Sequence, residues 1–223
     1  MKFSAVFSSA FMAGTALALG QTVPDPPASP ELVPKVDSPA PEMAPFDPGF
    51  GVGGRSVKPK PENFQLVALK SPQPFHGAWF QASHGGLLLK LADQKATCQG
   101  QSYNYATFHL QNKQLFLYSG DAEKHQQIYV DRSAMGQGIL RFADQGSALP
   151  KNAELQGWDI NDAGMLVFNG VGFQACPGHL GGAWQVWLNT VRNPAGNKGC
   201  VSFNALASKD EKPVSCHYTT TEN

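Results

Sequence analysis

From residue 64 onward, short apolar runs alternate with Gly, Asn and Asp. Runs at 64–69, 87–91, 106–110, 114–118 and 127–130 are rich in Leu, Phe, Val and Tyr, and five more follow at 138–142, 157–160, 164–168, 173–176 and 183–188. Short runs of strand-favouring residues bounded by turn formers predict strands rather than helices. No stretch carries a sustained helical period with caps, and the only short helix the pattern tolerates lies at 203–208. Residues 107–117 and 158–168 repeat one plan of strand, polar turn and strand, which predicts two similar hairpins. A poorer third copy at 78–89 would be needed for a β-trefoil. The expected architecture is therefore all-β, a compact barrel or sandwich, with a trefoil-like arrangement as its variant.

The region before residue 64 reads differently. Lys2 precedes a small, apolar stretch at 3–19, which predicts a signal peptide over 1–20 with cleavage after Ala18 or Gly20. Residues 21–61 hold eleven prolines and few groups to bury. That composition predicts a disordered arm of extended polyproline segments around a glycine hinge at 49–54. Fully extended, such an arm would reach on the order of 100 Å, as a tether or as a plain spacer. The β domain then occupies 62–223, enough chain for one core.

Charge and cysteine content narrow the partners. With 17 basic and 17 acidic residues the chain has no net field to draw in nucleic acid or an anionic membrane, so neutral partners are expected. Cys98, Cys176, Cys200 and Cys216 form an even set in a secreted chain, which predicts two disulfides. Three connectivities exist. Cys200 with Cys216 and Cys98 with Cys176 is the expected one, since the first closes a short local loop. No spacing matches a zinc motif, and neither metal nor cofactor is expected.

Catalytic signatures are sparse. A Gly-x-Ser-x-Gly elbow is absent, and a copper-dependent oxidative enzyme would need a mature N-terminal histidine, whereas either cleavage leaves Leu19 or Gln21. Among the acids of the best-patterned region, Asp131 suits a local pair with Arg132, while Asp159 and Asp162 flank a turn at Asn161. His76 and His84 are close enough in sequence to converge across a hairpin, but no third ligand accompanies them. The candidate ligand-binding residues are Trp79, Trp158, Trp184 and Trp187, because indole faces stack on sugars. Their plainer role is filling the core. Trp184 and Trp187, three apart, would point to opposite faces of a strand.

An ordered set of motifs runs through the second half: Ile128-Tyr-Val-Asp-Arg-Ser-Ala-Met-Gly-Gln-Gly138, Gln156-Gly-Trp158, Ala175-Cys-Pro177, Gly182-Ala-Trp184, Asn193-Pro-Ala-Gly-Asn197 and Ser215-Cys-His-Tyr218. Together they resemble fungal secreted cell-wall proteins of the PhiA type over roughly 64–219. The resemblance implies a secreted, wall-associated and non-enzymatic protein linked to phialides and conidia, with relatives among mould allergens. Wall polysaccharide is the implied partner. A glycan- or small-ligand-binding module, or a secreted effector, is the alternative. Three departures stand out: the proline-rich arm, a poor match over 70–86, and the lack of any Asn-x-Ser/Thr glycosylation site.

Overall fold

The computed structural model describes residues 60–221. The expected signal peptide at 1–20 and all but the last two residues of the expected arm at 21–61 lie outside the described residues. Fifteen strands follow in chain order: β1 Asn63–Leu69, β2 Phe80–Ser83, β3 Gly86–Leu89, β4 Thr97–Cys98, β5 Thr107–Gln111, β6 Gln114–Leu117, β7 Gln126–Asp131, β8 Ile139–Ala143, β9 Ala153–Glu154, β10 Trp158–Ile160, β11 Met165–Phe168, β12 Phe173–Cys176, β13 Trp184–Leu188, β14 Val201–Lys209 and β15 Cys216–His217. Helix is confined to three single 3₁₀ turns among the described residues. The all-β expectation holds.

Period-two burial marks several of these strands, while β2, β3 and β12 are short runs buried at every position. In β1, Phe64, Leu66 and Ala68 are fully buried while their neighbours are half-exposed, so one face meets the core. The main sheet runs β1-β5-β6-β7-β8-β3-β13-β12-β14-β11-β10, with β2 on β3 and β9 on β7. It curls until β1 also pairs with β14, from Phe64 opposite Lys209 to Leu69 opposite Asn204. On the far side β8 and β13 meet only at Ile139 and Trp187, and the sheet does not close into a barrel.

Both expected hairpins form: Phe108 pairs with Leu117 in β5–β6, and Trp158 with Phe168 in β10–β11. The poorer copy is a hairpin too, with Phe80 opposite Leu89. The three occupy inequivalent places in the strand order, so no three-fold arrangement results. The segment expected as a short helix, 203–208, belongs instead to β14. Its alanines suit a helix in isolation, but Phe203 and Ala205 share a buried face, and pairing with β1, β11 and β12 decides the outcome.

Aromatic rings dominate the core. Phe75 packs 4.9 Å from Trp184 and 5.6 Å from Phe203, and Trp158 packs 4.9 Å from Phe168. Burying each Phe side chain stabilises by about 1.5–3 kcal/mol. A second, small cluster of Ile139, Cys176 and Trp187, with Cys200 against it, forms apart from this core.

All four cysteines are bridged, but not in the expected pairs. Cys98 bonds Cys216, and Cys176 bonds Cys200. The cause is the misread strand: β14 is nine residues long and, at about 3.3 Å per residue, carries the chain away from Cys200 before Cys216 is reached. Cys200 is left beside the end of β12, where Ala175 pairs with Val201. Cys216 returns in β15, directly opposite Cys98 of β4.

Candidate functional site

Three of the motif blocks, far apart in sequence, meet at one surface cleft of about 380 Å³. Asp131 contributes from the end of β7, Met135 and Gly136 from the loop between β7 and β8, Pro177 and His179 from the turn after β12, and Ala195 and Asn197 from the loop before β14. Trp187 and Ile139 line it as well, with Arg141 and Gln185.

The β7–β8 loop is held by its own hydrogen bonds. Asp131 Oδ1 accepts from Ser133 N (2.8 Å), Ser133 Oγ from Gly136 N (2.9 Å), and the Asp131 carbonyl from Gly138 N (2.8 Å). The expected Asp131–Arg132 pair is therefore not made; Arg132 reaches Glu154 on β9 at 3.4 Å. A second loop is fastened to the first where Ala195 N donates to Gln137 Oε1 at 2.8 Å. Among the described residues Asp131 is the single carboxylate lining the cleft.

The four tryptophans separate. Trp158 is fully buried between Phe168 and Phe173. Trp184 packs on Phe75 at the edge of the core. Trp187 belongs to the small second cluster, so the pair does occupy different faces of β13, although Trp187 is only 4 % exposed. Its Nε1 and that of Trp158 are buried without a hydrogen-bond partner. Trp79 alone of the four is exposed, at 39 %.

Trp79 stands in an aromatic group that the sequence reading missed. Its ring centroid lies 5.7 Å from that of Tyr105, which in turn stacks on Tyr103 at 5.2 Å with the planes 4° apart. Burial and the negative charge of Asp210 push the Tyr105 hydroxyl above its ordinary pKa. Asp210 Oδ2 accepts from Gln65 Nε2 (3.1 Å) and Thr107 Oγ1 (3.0 Å), which supplies a polar border. The available signal was Tyr103-Asn-Tyr105 itself, two aromatics at the end of the polar stretch 99–104 and ahead of the apolar run at 106–110.

The histidines stay dispersed. His76 Nδ1 accepts from Lys70 N and His84 bonds Ser83 Oγ, so the two do not form a pair. His109 and His125 are neighbours, with ring centroids 5.3 Å apart. No group of three or more His, Cys, Asp or Glu suited to a metal ion occurs among the described residues.

Comparison with known proteins follows these motifs closely. The family model for PhiA-like secreted protein matches residues 64–219. The cell wall protein phiA of Emericella nidulans is 39 % identical over 173 residues, covering 77 % of this chain and 94 % of the relative. Its namesake in Aspergillus fumigatus is 37 % identical over 162 residues, 72 % of this chain and 87 % of the relative. That of Arthroderma benhamiae is 36 % identical over 174 residues, 75 % and 92 % respectively. No solved structure matches the chain. On the family match and these relatives, the chain belongs to the PhiA-like secreted proteins.

Proposed function

We propose that this secreted protein is a non-enzymatic component of the fungal cell wall, contributing to wall structure and to the formation of phialides and conidia. The observation that carries the wall placement is the alignment with proteins named cell wall protein phiA over up to 94 % of their length. Support for a non-catalytic role comes from the cleft. Hydrolysis of a glycosidic bond ordinarily takes two carboxyl groups flanking it. Among the described residues Asp131 is the sole lining acid, and one of its oxygens is committed to Ser133 N. The motif residues also tie two loops together, with Ala195 N donating to Gln137 Oε1, which supports a structural role.

The test is a strain whose gene is deleted and then restored with a tagged copy. The tagged protein is expected in the purified wall fraction, with fewer and misshapen phialides and conidia in the deletion strain. Tagged protein found only in the medium would overturn the wall placement, and normal conidiation the developmental role. Release of reducing ends from chitin, β-glucan or mannan by the purified protein would overturn the non-enzymatic role.

A further inference from the structure

Exposed aromatic rings cost a secreted protein solubility, and their faces must be held still if they are to serve as a surface. Trp79 and Tyr103 are exposed at 39 % and 44 %, and Tyr105 bridges them. Residues 99–106 form no strand or helix, yet buried groups pin them tightly. Gln94, only 2 % exposed, donates from Nε2 to the carbonyls of Tyr103 and Tyr105, both at 2.9 Å. Asn104, between the tyrosines, accepts from Gln94 N (3.0 Å) and donates to the Leu91 and Ala92 carbonyls. The Cys98–Cys216 bridge fastens the start of the loop, and Ala106 N donates to the Phe80 carbonyl at its end. Trp79 is set on the neighbouring element by its bridge to Val67.

This support is the preorganisation that a binding surface needs, because the ordering cost is met before a ligand arrives. We propose that Trp79 and Tyr103, braced by Tyr105, which stacks on Tyr103 and meets the indole at a 43° tilt, form a rigid aromatic platform whose outer ring faces take a neutral, β-linked pyranose polysaccharide of the wall, a reading that rests on the wall placement proposed above. The chemistry matches in three respects. A β-linked pyranose with equatorial substituents has flat C–H faces, which pack on the negative faces of aromatic rings. The tyrosine hydroxyls, with the Asp210 carboxylate beside them, are the groups placed to meet the hydroxyl rim of such a sugar. Asp210 is already engaged by Gln65, Thr107 and Lys212 N, and among the described residues no lysine or arginine lines the hollow beside the tyrosines, so a neutral ligand suits it better than an anionic one.

The test uses the full secreted chain, with depletion from solution by insoluble chitin, insoluble β-1,3-glucan, immobilised α-mannan and whole isolated walls. Chitin or β-1,3-glucan, or both, should retain the wild type; α-mannan should not. Trp79→Ala and the double substitution Tyr103→Ala with Tyr105→Ala should each weaken retention at least about ten-fold. Tyr103→Phe with Tyr105→Phe should keep most of it, and Val191→Ala, an exposed apolar residue outside the platform, all of it. Equal thermal melting of these variants and the wild type establishes that folding is intact. As an independent readout, soluble chitin or laminarin oligosaccharides should shift tryptophan fluorescence in the wild type and not in Trp79→Phe.

Retention on walls that the platform variants leave unchanged would overturn the platform and leave the wall placement standing. Preferential retention on α-mannan would overturn the proposed ligand class. Failure of the wild type to bind whole walls would count against the platform, and the location of the tagged protein decides the wall placement separately.

Discussion

Gly136 governs the shape of the cleft loop through the side chain it lacks. A Cβ there would stand 2.2 Å from Asp131 Cγ and 2.6 Å from the Asp131 carbonyl oxygen. Gly136→Ala must therefore push the loop off Asp131, and overpacking of this kind costs about 1–3 kcal/mol. The expected result is a lower denaturation midpoint in urea with an unchanged slope; an unaltered midpoint would refute the account. His109 makes a different prediction at the same scale. Burial first, and the neighbouring His125 second, hold its pKa below the ordinary 6.5. The folded state thus keeps the imidazole neutral where an unfolded chain would protonate it. Its contribution to stability is complete above pH 6.5 and is lost as pH falls through the depressed pKa. The melting temperature should fall between pH 7 and pH 5, and fall less in His109→Gln; equal falls would exclude His109 as the cause.

Among the elements, the loop at 99–106 depends on Gln94 as a strand depends on its neighbour. Gln94→Ala removes the donor to the Tyr103 and Tyr105 carbonyls and the Oε1 acceptor used by Ala82 N. Leaving buried polar groups unpaired costs about 1–3 kcal/mol. Urea denaturation should register a loss in that range, and Gln94→Glu, which keeps the acceptor but not the donors, should not restore it. Ten strands could be placed from alternation or from short apolar runs: β1, β6 and β11 bury every second residue, whereas β3 and β12 are buried throughout. β14 could not, since Ala205 and Ala207 are as compatible with a helix as with a strand until β1 is beside them. β4, β9 and β15 are two residues each, too short to leave a pattern. The candidate site was legible in pieces: the motif blocks stood out, but only the pairing of β8, β12 and β13 brings them to one cleft. Tyr103 and Tyr105 were masked by their polar surroundings, and Trp158 and Trp184 proved to serve packing.

At the scale of the whole molecule, the disulfides divide the work unequally. Cys98–Cys216 spans 118 residues and Cys176–Cys200 spans 24. The chain-entropy model assigns them about 5 and about 3.5 kcal/mol respectively. Cys98→Ala with Cys216→Ala should therefore destabilise more than Cys176→Ala with Cys200→Ala in guanidine titrations; the reverse order would sink the entropic account. Peptide mapping without reduction should recover the 98–216 and 176–200 linkages and no 200–216 peptide.

The wider bridge also encloses most of the folded domain in one covalent ring. A protease that cuts a single exposed loop between residues 98 and 216 opens that ring without dividing the molecule. The severed ends remain attached through sulfur, and β1 and β14 stay zipped along six residue pairs. Outside the cell, where hydrolytic enzymes act continually and no new chain can be supplied in place, a nick in this protein is damage it can carry rather than its removal.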